Sequence, residues 1–153
     1  NPMDDVEYCV REMLKQKKTP EVETFEIGHT WAMTQLMKKY EFADPVLFSV
    51  VLGHEGEAPA TPQALAAMIQ MIPAGTIWGI TQANRRDFSL LAGAVGMGAK
   101  TVRIGFEDSN YLNAVTQADT NAPLVAKTVR MLRAMDKEPM TPGEAREFFG
   151  IGR

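Results

Sequence analysis

An α/β fold, four parallel βα units in a row behind an opening helix, is what this sequence predicts. Candidate strands begin near positions 22, 46, 76 and 101 and alternate with helix-length segments, the pattern of a parallel sheet with right-handed crossovers. Val46 to Leu52 (V-L-F-S-V-V-L) is almost wholly apolar, as a strand covered on both faces should be. Thr101 to Asp108 (T-V-R-I-G-F-E-D) is two-faced instead. Val102, Ile104 and Phe106 share one parity and Arg103, Gly105 and Glu107 the other, so one face reads as core and the other carries charge. Four strands cannot close a barrel, whereas eight such units in about 250 residues do. The 153 residues therefore form either a small open sheet or half a barrel, as a single unit over 1-153.

The elements follow in order. Asp4 to Lys17 reads as a helix, acidic at its start and basic at its end, in accord with the helix dipole. Glu21 to Ile27 alternates like a strand with Glu21, Glu23, Phe25 and Ile27 on one face, and Gly28 turns the chain. Thr30 to Tyr40 is helical, and the second strand, 46 to 52, follows Asp44-Pro45. Gly53 to Ala60 is a loop, and Thr61-Pro62 opens a helix to about Met71 as cap and first-turn proline. The third strand spans Thr76 to Gln82, and an Ala/Gly-rich helix runs from about Phe88 to Val95. After the fourth strand, 101 to 108, Asn121 is placed to cap a helix reaching Met135. Thr141-Pro142-Gly143-Glu144 forms a capping box for a last helix to Phe149, closed by Gly150.

Composition narrows the function classes. Net charge is -3 and no basic run is interleaved with aromatics, so nucleic acid is not an expected partner. No apolar run approaches the roughly 20 residues of a membrane span, and the opening N-P-M-D-D lacks the regions of a signal peptide, so a soluble cytoplasmic protein is expected. Cys9 is the only cysteine, which excludes an internal disulfide and reads as a packing residue among Val6, Tyr8 and Val10. The ten methionines read as core filler.

The chemistry concentrates in Glu23, Arg103, Glu107 and Asp108. They come from two strands yet face one interior or mouth, and in α/β folds active-site groups collect where strands end. A carboxylate beside a cation can act as a general base, and the same set can be a structural ion pair. His29 and His54 each fall just past a strand, so with Glu107 they supply three possible metal ligands; solvent-facing histidines are the plainer alternative. Gly53-His54-Glu55-Gly56 is either an approach loop for a phosphate or thioester or an ordinary surface turn. G-A-V-G-M-G, Gly93 to Gly98, follows a helix and precedes a strand, the reverse of a dinucleotide fingerprint.

Seven runs in order, P-E-V-E-T-F-E-I-G, F-S-V-V-L-G, T-P-Q-A-L, I-P-A-G-T-I-W, V-R-I-G-F-E-D, T-N-A-P-L-V and T-P-G-E-A-R, resemble the β-keto acid cleavage enzymes. V-R-x-G-x-E-D is the most specific of them. The resemblance implies the C-terminal half of a (βα)8 TIM barrel, from the helix before the fifth strand onward. It also implies condensation of a β-keto acid with acetyl-CoA to acetoacetate and a new acyl-CoA, with a divalent metal, usually zinc. By position, Glu107 resembles the metal-ligating glutamate, Asp108 the general base, Arg103 the residue orienting that base and the substrate carboxylate, and Glu23 an acidic residue of the substrate pocket. In the implied reaction the metal polarises the keto acid, the base takes a proton from the carbon between the carbonyls, and the carbanion attacks the thioester.

The family's His-x-His is absent from this sequence, and its G-I-G-R after the third strand reads Q-A-N-R here, Gln82 to Arg85. The resemblance thus implies an N-terminal half-barrel partner that completes the site, and a homo-oligomer. The alternative is a catalytically inert half-barrel, two copies of which close a barrel as a binding or structural module.

Overall fold

The structure, a computed structural model, describes residues 2–42 and 45–151. Its sheet has four strands in the order β1-β2-β3-β4, all parallel. They are β1 (Glu21–Thr24), β2 (Leu47–Leu52), β3 (Ile77–Gln82) and β4 (Thr101–Val102). The helices are α1 (Met3–Lys15), α2 (Ile27–Lys39), α3 (Pro62–Ile69), α4 (Ser89–Gly96), α5 (Asn121–Arg133) and α6 (Pro142–Phe148). Asp44, expected to lead into β2, lies outside the described residues.

The register splits the sheet into two faces. One row across all four strands is Glu23, Ser49, Gly79 and Thr101; the next is Thr24, Val50, Ile80 and Val102. Side chains alternate faces along a strand, so Val50, Leu52 and Ile80 point one way and Glu23, Ser49 and Arg103 the other. Val50, Leu52 and Ile80 pack with Leu65 and Met68 of α3 and with Leu90, Leu91 and Ala94 of α4. On the same side Phe48 packs with Val10 of α1 and with Met33 and Leu36 of α2. The first four helices thus cover a single face of the sheet. An open doubly wound sheet carries helices on both faces; a barrel carries them outside only, so this chain has the layering of half a barrel.

Two capping expectations are met in detail. The Thr61 hydroxyl accepts from the Ala64 N–H at 3.2 Å, with Pro62 in the first turn. Thr141 and Glu144 form the full reciprocal box. β2 is buried along both faces from Phe48 to Leu52, as its apolar run predicts.

Several expectations are corrected. β1 ends at Thr24, and α2 begins at Ile27 with Gly28 inside its first turn, because the carbonyl of Glu26 already accepts from the His29 and Thr30 amides. The packed face of β1 is Val22 and Thr24, while Glu21 and Glu23 lie exposed on the other. β4 stops at Val102: the last ladder bond runs from the Arg103 N–H to the Ile80 carbonyl, and the Gly105 carbonyl then collects the Asp108 and Ser109 amides in a turn. Phe106 therefore leaves the parity of Val102 and Ile104 and is 45% exposed. Thr120, not Asn121, precedes α5, and the Asn121 side chain instead accepts from the Phe106 N–H at 3.0 Å. Cys9 is exposed and Val10 fills the packing position. Met33 and Met68 are core residues, but Met3, Met13, Met97 and Met140 are exposed.

Gly79 permits the close approach of β3 to β4. A Cβ there would stand 1.7 Å from the Thr101 hydroxyl and 2.8 Å from its carbonyl oxygen, so any larger residue must force the strands apart. Gly79→Ala is expected to lower stability by about 1–3 kcal/mol, the usual cost of overpacking, as a fall in the urea midpoint at constant slope. At the other edge, the Tyr40 hydroxyl and the Lys39 ammonium both donate to Glu7 and tie α1 to α2. The Lys39 hydrogen bond, then the Tyr40 one, hold the Glu7 carboxyl below its ordinary 4.5. A lowered carboxylate contributes stability that is present above its unfolded value and lost as pH falls through the folded one. Acidification below about pH 4.5 should release α1 first, seen as loss of amide protection in α1 ahead of β2 and β3.

Candidate functional site

The inner face of the sheet is organised by one guanidinium. Arg103, one residue past β4, forks onto Asp108: Nη2 donates to Oδ1 at 2.6 Å and Nε to Oδ2 at 3.2 Å. Its remaining arm, Nη1, donates to Glu23 Oε1 of β1 at 2.7 Å, and Glu107 stands 3.8 Å from Nη2. The four residues singled out in the sequence are thus one constellation. They differ sharply in exposure, Asp108 keeping 5% of its side chain accessible and Glu107 83%. Asp108 is placed by the turn that ends β4: its N–H donates to the Gly105 carbonyl at 3.2 Å and its carbonyl accepts from the Asn84 N–H at 2.9 Å. The hydrogen bonds it donates to Asp108, aided by the charges of Asp108, Glu23 and Glu107, raise the Arg103 guanidinium above its ordinary range against the effect of burial.

A hollow of about 400 Å³ opens beside this set, lined by Asn84, Arg86 and the segment from Phe106 to Tyr111. It lies at the C-terminal ends of β3 and β4, where a barrel places its chemistry. The Arg86 guanidinium stacks over the Tyr111 ring at 3.7 Å. A bidentate pair uses two of a carboxylate's four lone-pair directions, so Asp108, one of the residues lining the hollow, retains capacity to accept a proton.

The histidines do something else. His29 Nδ1 accepts from the Phe25 N–H at 3.3 Å, and the Phe25 ring packs near both imidazoles, with centroids 6.3 Å from His29 and 5.7 Å from His54. Among the described residues no group of three or more His, Cys, Asp or Glu side chains converges as a metal cage, which removes the His29, His54 and Glu107 set. Of the three carboxylates of this set, Asp108 and Glu23 are hydrogen-bonded to Arg103, and Glu107 is held only by a longer ion pair to it at 3.8 Å. A catalytic zinc takes three protein ligands, so this chain's residues do not by themselves fit a metal. The Gly53–Gly56 loop is a turn secured by the Gly53 N–H on the Ala58 carbonyl and the Ala58 N–H on the Phe25 carbonyl.

Arg85, which sequence reasoning noted only as the retained arginine of Q-A-N-R, has the largest fully buried side chain described, 1% exposed. It donates to the carbonyls of Tyr111 and Ser109 at 2.8 and 3.4 Å and lies 4.0 Å from the Phe88 ring centroid. Nothing local in the sequence distinguishes it from its exposed neighbour Arg86; its position after a strand end was the available signal.

The beta-keto acid cleavage enzyme family matches residues 1–151. The 3-keto-5-aminohexanoate cleavage enzyme of Acetoanaerobium sticklandii is 34% identical over 92% of this chain and 51% of its own length. The enzyme of the same name from Fusobacterium nucleatum is 32% identical over 91% of this chain and 50% of its own. The 3-dehydrocarnitine:acetyl-CoA trimethylamine transferase of Rhizobium meliloti is 32% identical over 94% of this chain and 49% of its own. The chain spans about half the length of these curated relatives.

Arg103→Lys keeps the charge and loses the fork, since one ammonium cannot span both carboxylate oxygens and Glu23. It is expected to cost about 1–3 kcal/mol, read as a lowered urea midpoint, with Arg103→Met costing more because Asp108 is then buried without a partner.

Proposed function

The chain belongs to the beta-keto acid cleavage enzyme family, and from that premise we propose that it forms one half of a (βα)8 barrel enzyme condensing a β-keto acid with acetyl-CoA. The products are acetoacetate and a new acyl-CoA. The observation that carries the reading is the Arg103 fork on Asp108 with Glu23 on its third arm, set at the C-terminal mouth of the strands. Support also comes from relatives whose names describe keto acid cleavage and acetyl-CoA transfer.

Asp108 is the base in this proposal. Its carboxylate takes a proton from the carbon between the two carbonyls of the keto acid, and the carbanion left behind attacks the acetyl thioester carbon, breaking the C–S bond and releasing CoA thiolate. That thiolate attacks the original keto carbonyl, and cleavage of the adjoining carbon–carbon bond gives acetoacetate and the new acyl-CoA. Arg103 holds the carboxylate in one orientation before the proton moves, so the geometry is set before the reaction. Arg103 also faces the incoming substrate carboxylate, and Glu23, on the same inner face, contributes negative charge to the substrate pocket. Glu107 is proposed as this chain's ligand to a divalent metal, zinc in the first instance, whose other ligands come from the remaining half of the barrel; no step is assigned to the metal. Homo-oligomers of the closed barrel are part of the same proposal.

A second reading, an inert half-barrel that self-associates, draws on the topology. β1 and β4 each pair on one side only, and two copies can close a barrel through those edges.

Intact masses and zinc content of the purified assembly separate the two. A second segment of about 120 residues, as expected from barrel size, with about one metal per pair supports the enzyme. This chain alone, without metal, favours the inert module. In the complete barrel, acetyl-CoA-dependent acetoacetate formation should fall about 10²–10⁴-fold in Asp108→Asn, the range for loss of a general base. Activity kept by Asp108→Asn would sink the assignment of the base.

A further inference from the structure

Arg85 is costly where it stands. Its guanidinium is removed from solvent, its Nε is buried with no hydrogen-bond partner, and among the described residues no carboxylate pairs with it directly. Burial pushes the guanidinium below its ordinary range, and the charges of Asp108 and Asp87 oppose that shift. A desolvated cation with an unused donor is a poor way to stabilise a fold, since an apolar residue of similar volume serves as well or better. Such local violations concentrate at sites that function requires.

Its contacts show what it serves. The Ser109 hydroxyl donates to the Arg85 carbonyl at 2.5 Å and accepts from the Tyr111 N–H at 3.2 Å. Arg85 Nη1 and Nη2 hold the carbonyls of Tyr111 and Ser109, while the preceding Asn84 N–H holds the carbonyl of Asp108. Asn84 is in turn fixed, in a left-handed conformation at φ 53°, by its side-chain bond to the Gly53 carbonyl. The loop after β3 therefore clamps the backbone of residues 108, 109 and 111. Arg103 grips the Asp108 side chain, the Asn84 N–H holds its carbonyl, and Arg85 fixes the carbonyls of Ser109 and Tyr111 just beyond it.

We propose that Arg85 is a positioning residue: its buried clamp on Ser109 and Tyr111 sets where the Asp108 carboxylate sits at the barrel mouth. This rests on the assignment of Asp108 as the base. The substrate is not touched by Arg85, so the effect is on the chemical step and not on substrate affinity.

In the complete barrel protein, Arg85→Met keeps the stem and removes every donor. It should lower kcat about 10²-fold, the scale for a misplacement near 1 Å, and leave KM within about threefold. Arg85→Lys, which retains a donor, should fall between wild type and Arg85→Met. Hydrogen exchange at the amides of Ser109 to Tyr111 should accelerate in Arg85→Met while β2 and β3 keep their protection. An unchanged kcat, or exchange that rises across the whole sheet, overturns the inference. If Arg85→Met does not fold, Arg85→Lys decides by the same split between kcat and KM. Asp108→Asn in the same assay separates the failures. If it is inactive while both Arg85 variants match wild type, the clamp alone is wrong; if it is active, the base assignment falls and the clamp with it.

Discussion

A single guanidinium connects the two outermost strands of this sheet. Three inter-strand gaps of about 4.8 Å separate β1 from β4 along the sheet, roughly 14 Å, yet Arg103 reaches Glu23 at 2.7 Å while both of its other donor positions grip Asp108. Contact across that span takes nearly the full reach of both side chains, so the ion pair ties one edge of the sheet to the other. Where β3 and β4 meet, Gly79 leaves room for the Thr101 side chain over its own backbone. The arginine keeps the carboxylates gathered at it from repelling one another.

The two faces divide polarity. Apolar residues from the strands meet α1 to α4 on one face, in two clusters that together bury Phe48, Val50, Leu52 and Ile80. The other face carries hydroxyls and charges, including the Ser49 hydroxyl bonded to Glu21 at 2.5 Å. A barrel interior that bears chemistry needs this arrangement: helices supply hydrophobic burial outside, and the inner wall is free to be polar.

At the mouth, two arginines bear on the segment around Asp108: Arg103 binds its carboxylate, and Arg85 secures the carbonyls of Ser109 and Tyr111 just beyond it. Under the proposed role of Asp108, this division would hold the carboxylate still before a proton reaches it. Glu107, one residue earlier in the turn, keeps most of its side chain accessible.

The sequence by itself determined the α/β class, the four parallel units and the two threonine caps, because periodicity, apolar runs and turn chemistry act over a few residues at a time. It also singled out Glu23, Arg103, Glu107 and Asp108, because charge within a strand's alternation and carboxylates where a strand runs out are both visible in one dimension. Only the tertiary structure decided that β4 ends at Val102, that Phe106 turns outward, that Asn121 bonds the Phe106 amide, and that His29 accepts from Phe25. Each of those outcomes depends on a partner elsewhere in the chain or on a turn whose carbonyl can be claimed by either strand or loop. The same holds for Arg85 and Arg86, adjacent and chemically identical: one is buried against Phe88 and the other stacks at the surface on Tyr111. What separates them is which of two successive side chains the loop turns inward, and that is settled by contacts 24 and 26 residues away.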